Sequence, residues 1–334
     1  MLPVLLLLFA NPASFDELLR SGLIALNKND LATAQKQLEA ASKMQPGRAE
    51  VWLGLAQTYW KQQQPKLAEA AAAKAEPLAA ENPAILRGLA LYYSEAGQSA
   101  KAAGELQAAL RLRPYGEAYY FELSQLYLRD QKFEAALETL KAGVKLFDKS
   151  AQLELARGVA LYGLRRFPEA IDSFLRTIQL APEVPQPYLF LGRMLDQAEG
   201  KLPEIAKAFA GYQRANPQSY LGSFLSAKAL VLENGDSARI EALLRESIAK
   251  NGGFWESHFE LGLLFEKRRD FAGAAAELEK AIALSPKDPA PHYRLARIYD
   301  RLGKKTEAER QRQLHATLSA EERPGMQSPA PVLK

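Results

Sequence analysis

Apolar residues follow a helical spacing in the stretch from Phe259 to Pro286, which reads FELGLLFEKRRDFAGAAAELEKAIALSP. Each of its two apolar runs recurs at i, i+3, i+4 and i+7, the spacing that places side chains on one face of an α-helix. The polar segment KRRD separates the runs, and a proline follows the second run, where it stops a helix. The pattern therefore predicts two helices, A and B, joined by a short turn.

The same pattern returns along the chain with a period of 34 residues. We number each unit so that its closing proline is position 32. The units then begin at Phe15, Ala49, Pro83, Glu117, Ala151, Pro185, Tyr220, Trp255 and Pro289. The units from Pro185 and Tyr220 each contain one extra residue. Self-similarity at this period predicts an all-α repeat protein in which neighbouring helix pairs bury each other's apolar faces.

Three positions carry most of the pattern. Position 8 is small in every unit: Gly22, Ala56, Ala90, Ser124, Gly158, Gly192, Ala227, Gly262 and Ala296. Position 20 is alanine in seven units: Ala34, Ala68, Ala102, Ala136, Ala170, Ala274 and Ala308. Position 24 is bulky in six units: Leu38, Leu106, Leu140, Phe174, Phe209 and Leu278. Small residues at positions 8 and 20 let the two helices approach closely.

These marks resemble the tetratricopeptide repeat (TPR) family, over about 308 residues. The resemblance implies a right-handed superhelical α-solenoid of nine stacked helix-turn-helix units over residues 15–322. The last unit is expected to form a cap, because Arg312 and His315 give its helix B a polar outer face. Residues 323–334 are expected to form a disordered tail. Within the array, we expect Pro77 to end or kink its helix early, and Ile240 to point inward in place of Arg239.

Residues 1–14, MLPVLLLLFANPAS, differ from the rest of the chain. The apolar run from Leu2 to Ala10 is too short to span a bilayer, which needs about 20 residues. It is typical of a secretory signal peptide, with Ala10 or Ala13 before the cleavage point. We therefore expect an exported protein, periplasmic or associated with the cell envelope. The alternative is an apolar lead-in that covers the open end of the first helix pair, in a cytoplasmic protein.

The sequence offers little catalytic chemistry. Cysteine is absent, and no nucleotide-binding or zinc-protease motif is found. His258 and His292 both occupy position 4 of adjacent units, whose equivalent helices lie about 8–10 Å apart. That separation disfavours a shared metal ion, so both are expected to be packing residues. We predict no enzymatic activity, no cofactor and no metal.

The resemblance implies that positions 2, 5, 9, 12 and 13 of helix A line a concave groove that binds a protein or peptide partner. Tyr, Trp and Arg dominate the energetics of many interfaces. The predicted groove residues are Gln57, Trp60, Lys61, Phe121, Gln125, Arg129, Tyr162, Arg193, Gln197, Phe224, Lys228, Phe259, Tyr293, Arg297 and Arg301. This set predicts a basic, aromatic groove. Some family members clamp C-terminal carboxylates with a lysine at position 5, but this chain has Leu19, Leu53, Phe121 and Phe259 there.

The function that these features favour is a non-enzymatic scaffold for protein–protein interaction in the bacterial cell envelope. A second hypothesis is an accessory module that recruits a separate envelope enzyme, such as a transferase. A helical-repeat RNA binder is disfavoured by the formal net charge of only +4 and by the 34-residue pattern.

Overall fold

The computed structural model describes residues 14–198 and 200–321. Within those ranges the chain forms eighteen α-helices and one short 3₁₀ helix, and it has no strand. The predicted all-α repeat fold is therefore confirmed. The chain divides into two compact units between Phe147 and Asp148.

The first unit holds four helix pairs, each an A helix followed by a B helix. Its helices are α1 (Phe15–Asn27), α2 (Leu31–Met44), α3 (Ala49–Lys61), α4 (Pro65–Ala79), α5 (Pro83–Glu95), α6 (Ser99–Leu112), α7 (Glu117–Arg129) and α8 (Phe133–Leu146). Ser14 caps α1 through a reciprocal bond with Glu17, so the folded part begins at least one residue before Phe15.

The second unit holds five helix pairs. Its helices are α9 (Ala151–Gly163), α10 (Phe167–Leu180), α11 (Gln186–Arg193), α12 (Leu202–Ala215), α13 (Tyr220–Leu232), α14 (Ser237–Lys250), α15 (Trp255–Lys267), α16 (Phe271–Leu284), α17 (Pro289–Arg301) and α18 (Lys305–Glu321). The 3₁₀ helix Leu195–Gln197 follows the short α11.

Helix A lies on helix B through close contact at position 8. A Cβ atom added to Gly22 would lie 2.6 Å from Cγ of Leu38, and one added to Gly158 would lie 2.6 Å from Cε1 of Phe174. Both bulky residues occupy position 24 of the same helix pair and are fully buried. Position 8 is small because the side chain at position 24 fills the space that a larger residue would need.

The turn between helix A and helix B is short in every pair but one, in which the 3₁₀ helix Leu195–Gln197 lengthens it. One residue in each turn has a positive φ. It is glycine in three turns, and in six turns it is another residue: Asn29, Gln63, Gln131, Arg165, Asn234 and Arg269. An L-residue in this conformation costs roughly 1–2 kcal/mol. The packing of the helix pair therefore imposes the turn even where the sequence offers no glycine.

Successive pairs are joined at position 4. The side chains of Trp52, Tyr188 and His292 each contact the carbonyl oxygen of the proline six residues earlier, at 2.7, 2.9 and 3.2 Å. That carbonyl follows a helix B, where backbone oxygens lack helical partners. Position 4 of the unit from Tyr220 is Ser223, and there Lys250 donates to the carbonyl of Pro217 at 2.7 Å instead.

A second contact between pairs comes from tyrosines at position 11. Tyr59 donates to Oε1 of Glu39 at 2.8 Å, and Tyr299 donates to Oε1 of Glu279 at 2.7 Å. In both cases the carboxylate lies twenty residues earlier, on helix B of the preceding pair. Burial first, and then this hydrogen bond, raises the pKa of each tyrosine to about 12.

Two local expectations have clear outcomes. Ile240 is buried and Arg239 is exposed, as predicted. The prediction that Pro77 ends its helix early is wrong, because α4 continues to Ala79. Pro77 is exposed and lies in the last turn, close to the point where the helix would end in any case. The predicted signal peptide (apart from Ser14) and the predicted tail lie outside the described residues.

We predict that Ala274→Asp severely destabilises the second unit. Ala274 is fully buried at position 20, so the change adds volume and buries an unpaired charge. The expected loss in free energy of unfolding is about 3 kcal/mol or more. The matched control is Ala276→Asp on the exposed face of the same helix, which should cost under about 1 kcal/mol. Urea denaturation followed by circular dichroism measures both, and equal losses would refute the assigned register.

We predict that stability falls as pH rises from 10 toward 12. An unfolded tyrosine has a pKa of about 10. Because the folded pKa values of Tyr59 and Tyr299 are raised, the stability they contribute is complete below pH 10 and is lost above it. The double variant Tyr59→Phe, Tyr299→Phe should lose less stability than the wild type between pH 9 and pH 11.5. The exposed Tyr115→Phe should behave like the wild type.

Candidate interaction surface on the A helices

The A helices of the first unit lie side by side, and polar contacts join their outer faces. Arg87 on α5 donates from Nε to both carboxylate oxygens of Glu122 on α7, each at 2.9 Å. Arg129 on α7 reaches the Ser94 hydroxyl of α5 at 3.1 Å. These contacts bring positions 5, 9, 12 and 13 of neighbouring helices onto one continuous face, which we call the helix A face.

Half of the side chains on the helix A face of the first unit are apolar, and the other half are polar or charged. Among the predicted residues, Gln57, Trp60, Phe121 and Gln125 are half-buried there. Lys61 and Arg129 are exposed. The Trp60 ring packs edge-on against Tyr92, with centroids 6.1 Å apart. The tryptophan therefore both supports the next pair and offers part of its ring to solvent.

Sequence reasoning missed several leucines on this face. Leu91 at position 9 is 45% exposed, a high value for a large apolar side chain in a folded protein. Half-buried leucines occupy positions 5, 9 and 12 of the other A helices of this unit: Leu53, Leu23 and Leu128. The same repeat positions contained this signal, but the prediction took the aromatic, cationic and glutamine residues there and left out the leucines.

Gln125 carries a polar group that the fold leaves unsatisfied. Its Nε2 atom is buried and has no hydrogen-bond partner among the described residues. A buried donor without an acceptor costs about 1–3 kcal/mol. The Nε2 group of Gln125 is therefore an unsatisfied hydrogen-bond donor on the helix A face.

In the second unit, part of the predicted aromatic set is structural. Phe224 is only 6% exposed and packs edge-on against Phe254, with centroids 5.0 Å apart. Its expected place on an open groove is corrected: it belongs to the packing between helix pairs. Tyr162 is half-buried, and its ring centroid lies 5.2 Å from that of Phe190.

The two remaining aromatic residues are more accessible. Phe259 is half-buried, 5.9 Å from the ring of Trp255. Tyr293 is 46% exposed, with the guanidinium of Arg297 5.8 Å from its ring centroid. Gln197 is exposed, but it lies on the 3₁₀ helix rather than on α11, because α11 ends at Arg193.

The predicted cations of the second unit are mostly paired with carboxylates of another A helix. Lys228 forms an ion pair with Glu260, and Arg193 lies 3.5 Å from Glu256. Arg297 shares Glu266 with Arg294, at 3.8 and 3.6 Å. Arg301 is exposed and has no ion pair among the described residues. The basic groove expected from sequence is therefore largely neutralised by position 2, 6 and 12 carboxylates.

Burial affects the pKa of one of these carboxylates. Desolvation raises the pKa of Glu256, although Arg193 and a backbone hydrogen bond partly oppose it. The Arg193–Glu256 pair connects α11 with α15, two helix pairs further along. This part of the face is an internal electrostatic network.

The histidines at position 4 are packing residues, as expected. His258 and His292 are buried, and their Nδ1 atoms contact Glu277 at 2.7 Å and Gln311 at 2.6 Å on helix B of the same pair. Burial alone would raise the pKa of Glu277, but hydrogen bonds from His258 and Lys280 lower it overall.

Among the described residues, no three His, Cys, Asp or Glu side chains are grouped to hold a metal ion. In the same part of the chain, no helix is long and apolar enough to cross a membrane.

Family models identify the repeat. A model described as "Tetratricopeptide repeat" matches residues 19–83, 87–151, 121–185 and 155–220. A second model with the same description matches residues 266–311. The chain belongs to the tetratricopeptide repeat family. A TPR array supports a role as a scaffold for protein–protein interaction, and its partners are expected to be proteins or peptides.

Solved TPR structures are similar to this chain at low sequence identity. The C-terminal part of a TPR repeat-containing protein from Cytophaga hutchinsonii is 16% identical, with 83% of this chain and 99% of that chain covered and a TM-score of 0.52. The MamA protein is 19% identical, with 51% and 92% covered and a TM-score of 0.44. YrrB, described as a TPR protein with an unusual peptide-binding site, is 18% identical, with 51% and 88% covered and a TM-score of 0.43. A search among curated proteins found no match.

We predict that Glu260→Gln destabilises this TPR protein, because it leaves the largely buried Lys228 ammonium without its carboxylate. The free energy of unfolding should fall by about 1–2 kcal/mol. Glu95→Gln is the control, since Glu95 is an exposed A-helix carboxylate without a partner among the described residues. Urea denaturation at pH 7 compares the two variants. Equal stability of both would mean that the pair is too solvated to matter.

Proposed function

We propose that this TPR protein is a non-enzymatic scaffold that binds a partner segment across the helix A face of its first unit. The observation that carries the proposal is Leu91, 45% exposed, among the half-buried side chains of Leu53, Trp60 and Phe121. These side chains lie outside the position 8, 20 and 24 contacts that hold each helix pair together. Leu53 and Trp60 also support the packing of the next pair, whereas the exposed part of the Leu91 side chain faces solvent.

The polar groups on this face favour a neutral, apolar segment. The central ion pair, Arg87 with Glu122, is already satisfied, so an added charge there would have no partner. Gln57 is a half-buried amide, and an amide hydrogen-bonds to a peptide backbone whatever its side chains. Desolvation of apolar surface around the exposed leucine then provides the affinity.

We further propose that the protein is exported and acts in the bacterial cell envelope. The apolar run from Leu2 to Ala10 directly before Ser14 supports this location. Fractionation of cells, followed by N-terminal sequencing of the protein, tests it. Recovery from the cytoplasm with Met1 retained would overturn it.

The experiment on the surface begins with capture of partners from envelope extract by the full chain and their identification by mass spectrometry. Affinity for each purified partner is then compared between the wild type and Leu91→Gln. Loss of one well-packed apolar contact should weaken binding by about tenfold, mainly through faster dissociation.

The matched control is Leu112→Gln, since Leu112 is 46% exposed but lies at the end of a B helix. It should bind like the wild type, and both variants should keep the helical melting curve. If Leu112→Gln loses affinity and Leu91→Gln does not, the partner uses another face and the proposed surface is wrong.

A further inference from the structure

Two turns of the second unit concentrate positive charge. They join α15 to α16 and α17 to α18. Residues 266–270 and 300–305 contain six cations and three carboxylates. The cations are Lys267, Arg268, Arg269, Arg301, Lys304 and Lys305. We call these two segments the basic turns.

The three carboxylates are already engaged. Asp270 accepts the backbone N–H of Gly273 at 2.9 Å and caps α16. Asp300 pairs with Arg312 at 2.8 Å. Glu266 is shared by Arg294 and Arg297. They therefore contribute little neutralisation to the cations beside them.

Four of the six cations have no ion pair or hydrogen bond from their side chains among the described residues. They are Lys267, Arg269, Arg301 and Lys305, and all four are exposed. Arg268 is occupied by Glu241 and by the Ser237 hydroxyl, 2.7 Å from its Nε. The Lys304 ammonium lies 5.4 Å from the ring centroid of Tyr299.

The A helices that lead into the two turns lie beside each other. Arg294 and Arg297 on α17 reach Glu266, which lies in the last turn of α15. Arg269 and Gly303 occupy equivalent places in the turns and share the left-handed backbone, with φ of 63° and 77°. The free cations therefore lie at the same end of two neighbouring helix pairs.

Local helix electrostatics do not account for this charge. Lys267 and Arg301 lie at the C-terminal ends of A helices, where a cation is favourable. Lys305, however, is the first residue of α18, and Arg269 immediately precedes the cap of α16. A cation at a helix N-terminus opposes the helix dipole. The free cations at these two positions thus reduce local stability, which points to a ligand of opposite charge.

We propose that the basic turns bind an acidic segment of a partner polypeptide. A segment in the polyproline II conformation has three residues per turn and rises about 3.1 Å per residue, so carboxylates three residues apart lie on one face about 9 Å apart. That distance matches the roughly 8–10 Å between neighbouring packed helices.

The basic turns contain no aromatic residue on which a nucleic-acid base could stack. Their only apolar side chain is Leu302, 37% exposed, which offers little insertion into a bilayer. This surface is separate from the helix A face of the first unit.

The test uses the full chain and two twelve-residue peptides, one with glutamate at every third position and one with glutamine there. The triple variant Arg269→Gln, Arg301→Gln, Lys305→Gln removes three of the free cations. The control triple Lys28→Gln, Lys66→Gln, Arg111→Gln makes the same change in net charge at exposed cations of the first unit. Fluorescence anisotropy at 50 mM and 300 mM NaCl measures affinity, and circular dichroism confirms folding.

The wild type and the control triple should bind the glutamate peptide, with weaker binding at the higher salt concentration. Loss of three exposed charge pairs should weaken binding by the triple variant about tenfold, and the glutamine peptide should bind at least as weakly. Equal loss in both triples, or equal affinity for both peptides, would overturn the proposal. So would tighter binding of phosphatidylglycerol vesicles or polyuridylate that the triple variant abolishes. The Leu91→Gln variant should bind the glutamate peptide normally, which separates this outcome from that of the helix A face.

Discussion

Close approach of helix A and helix B within each pair is the constraint on which the rest of the structure depends. Glycine at position 8 leaves space that Leu38 or Phe174 fills from position 24. With the two axes this close, the turn between them must be short, and one of its residues adopts positive φ even when it is glutamine or arginine. Burial of the apolar face outweighs the strain of that residue, since a Leu or Phe side chain contributes about 1.5–3 kcal/mol.

Stacking of the pairs adds directional contacts to this packing. Trp52 and His292 satisfy a carbonyl at the end of the preceding helix B, and Tyr59 and Tyr299 donate to carboxylates on that helix. Because these groups come from fixed repeat positions, they hold the pairs that contain them in the same register. The side chains at positions 5, 9, 12 and 13 are then free to differ between units. In the first unit half of them are apolar, and in the second unit most of the cations among them form ion pairs.

In the described part of the second unit, the cations of the A helices are mostly paired with carboxylates, and the cations of the basic turns are mostly unpaired. Lys228 and Arg193 face carboxylates on other A helices, so the most obvious cations in the sequence are the least available to a ligand. Lys305 and Arg269 are in short turns and remain exposed. The two candidate surfaces therefore differ in chemistry. The helix A face of the first unit offers exposed apolar side chains, and the basic turns of the second unit offer unpaired cations.

The repeat, its 34-residue register and the buried positions could be read from the amino-acid sequence, because each depends on local periodicity and on side-chain size. Ala274 and Ile240 are buried as the pattern predicts. Which side chains are exposed to a ligand could not be predicted in this way. Phe224 and Tyr293 occupy the same repeat position, yet one is 6% and the other 46% exposed. Tertiary structure decides this difference, because Phe254 covers Phe224 and the carboxylates that neutralise the cations come from residues distant in sequence.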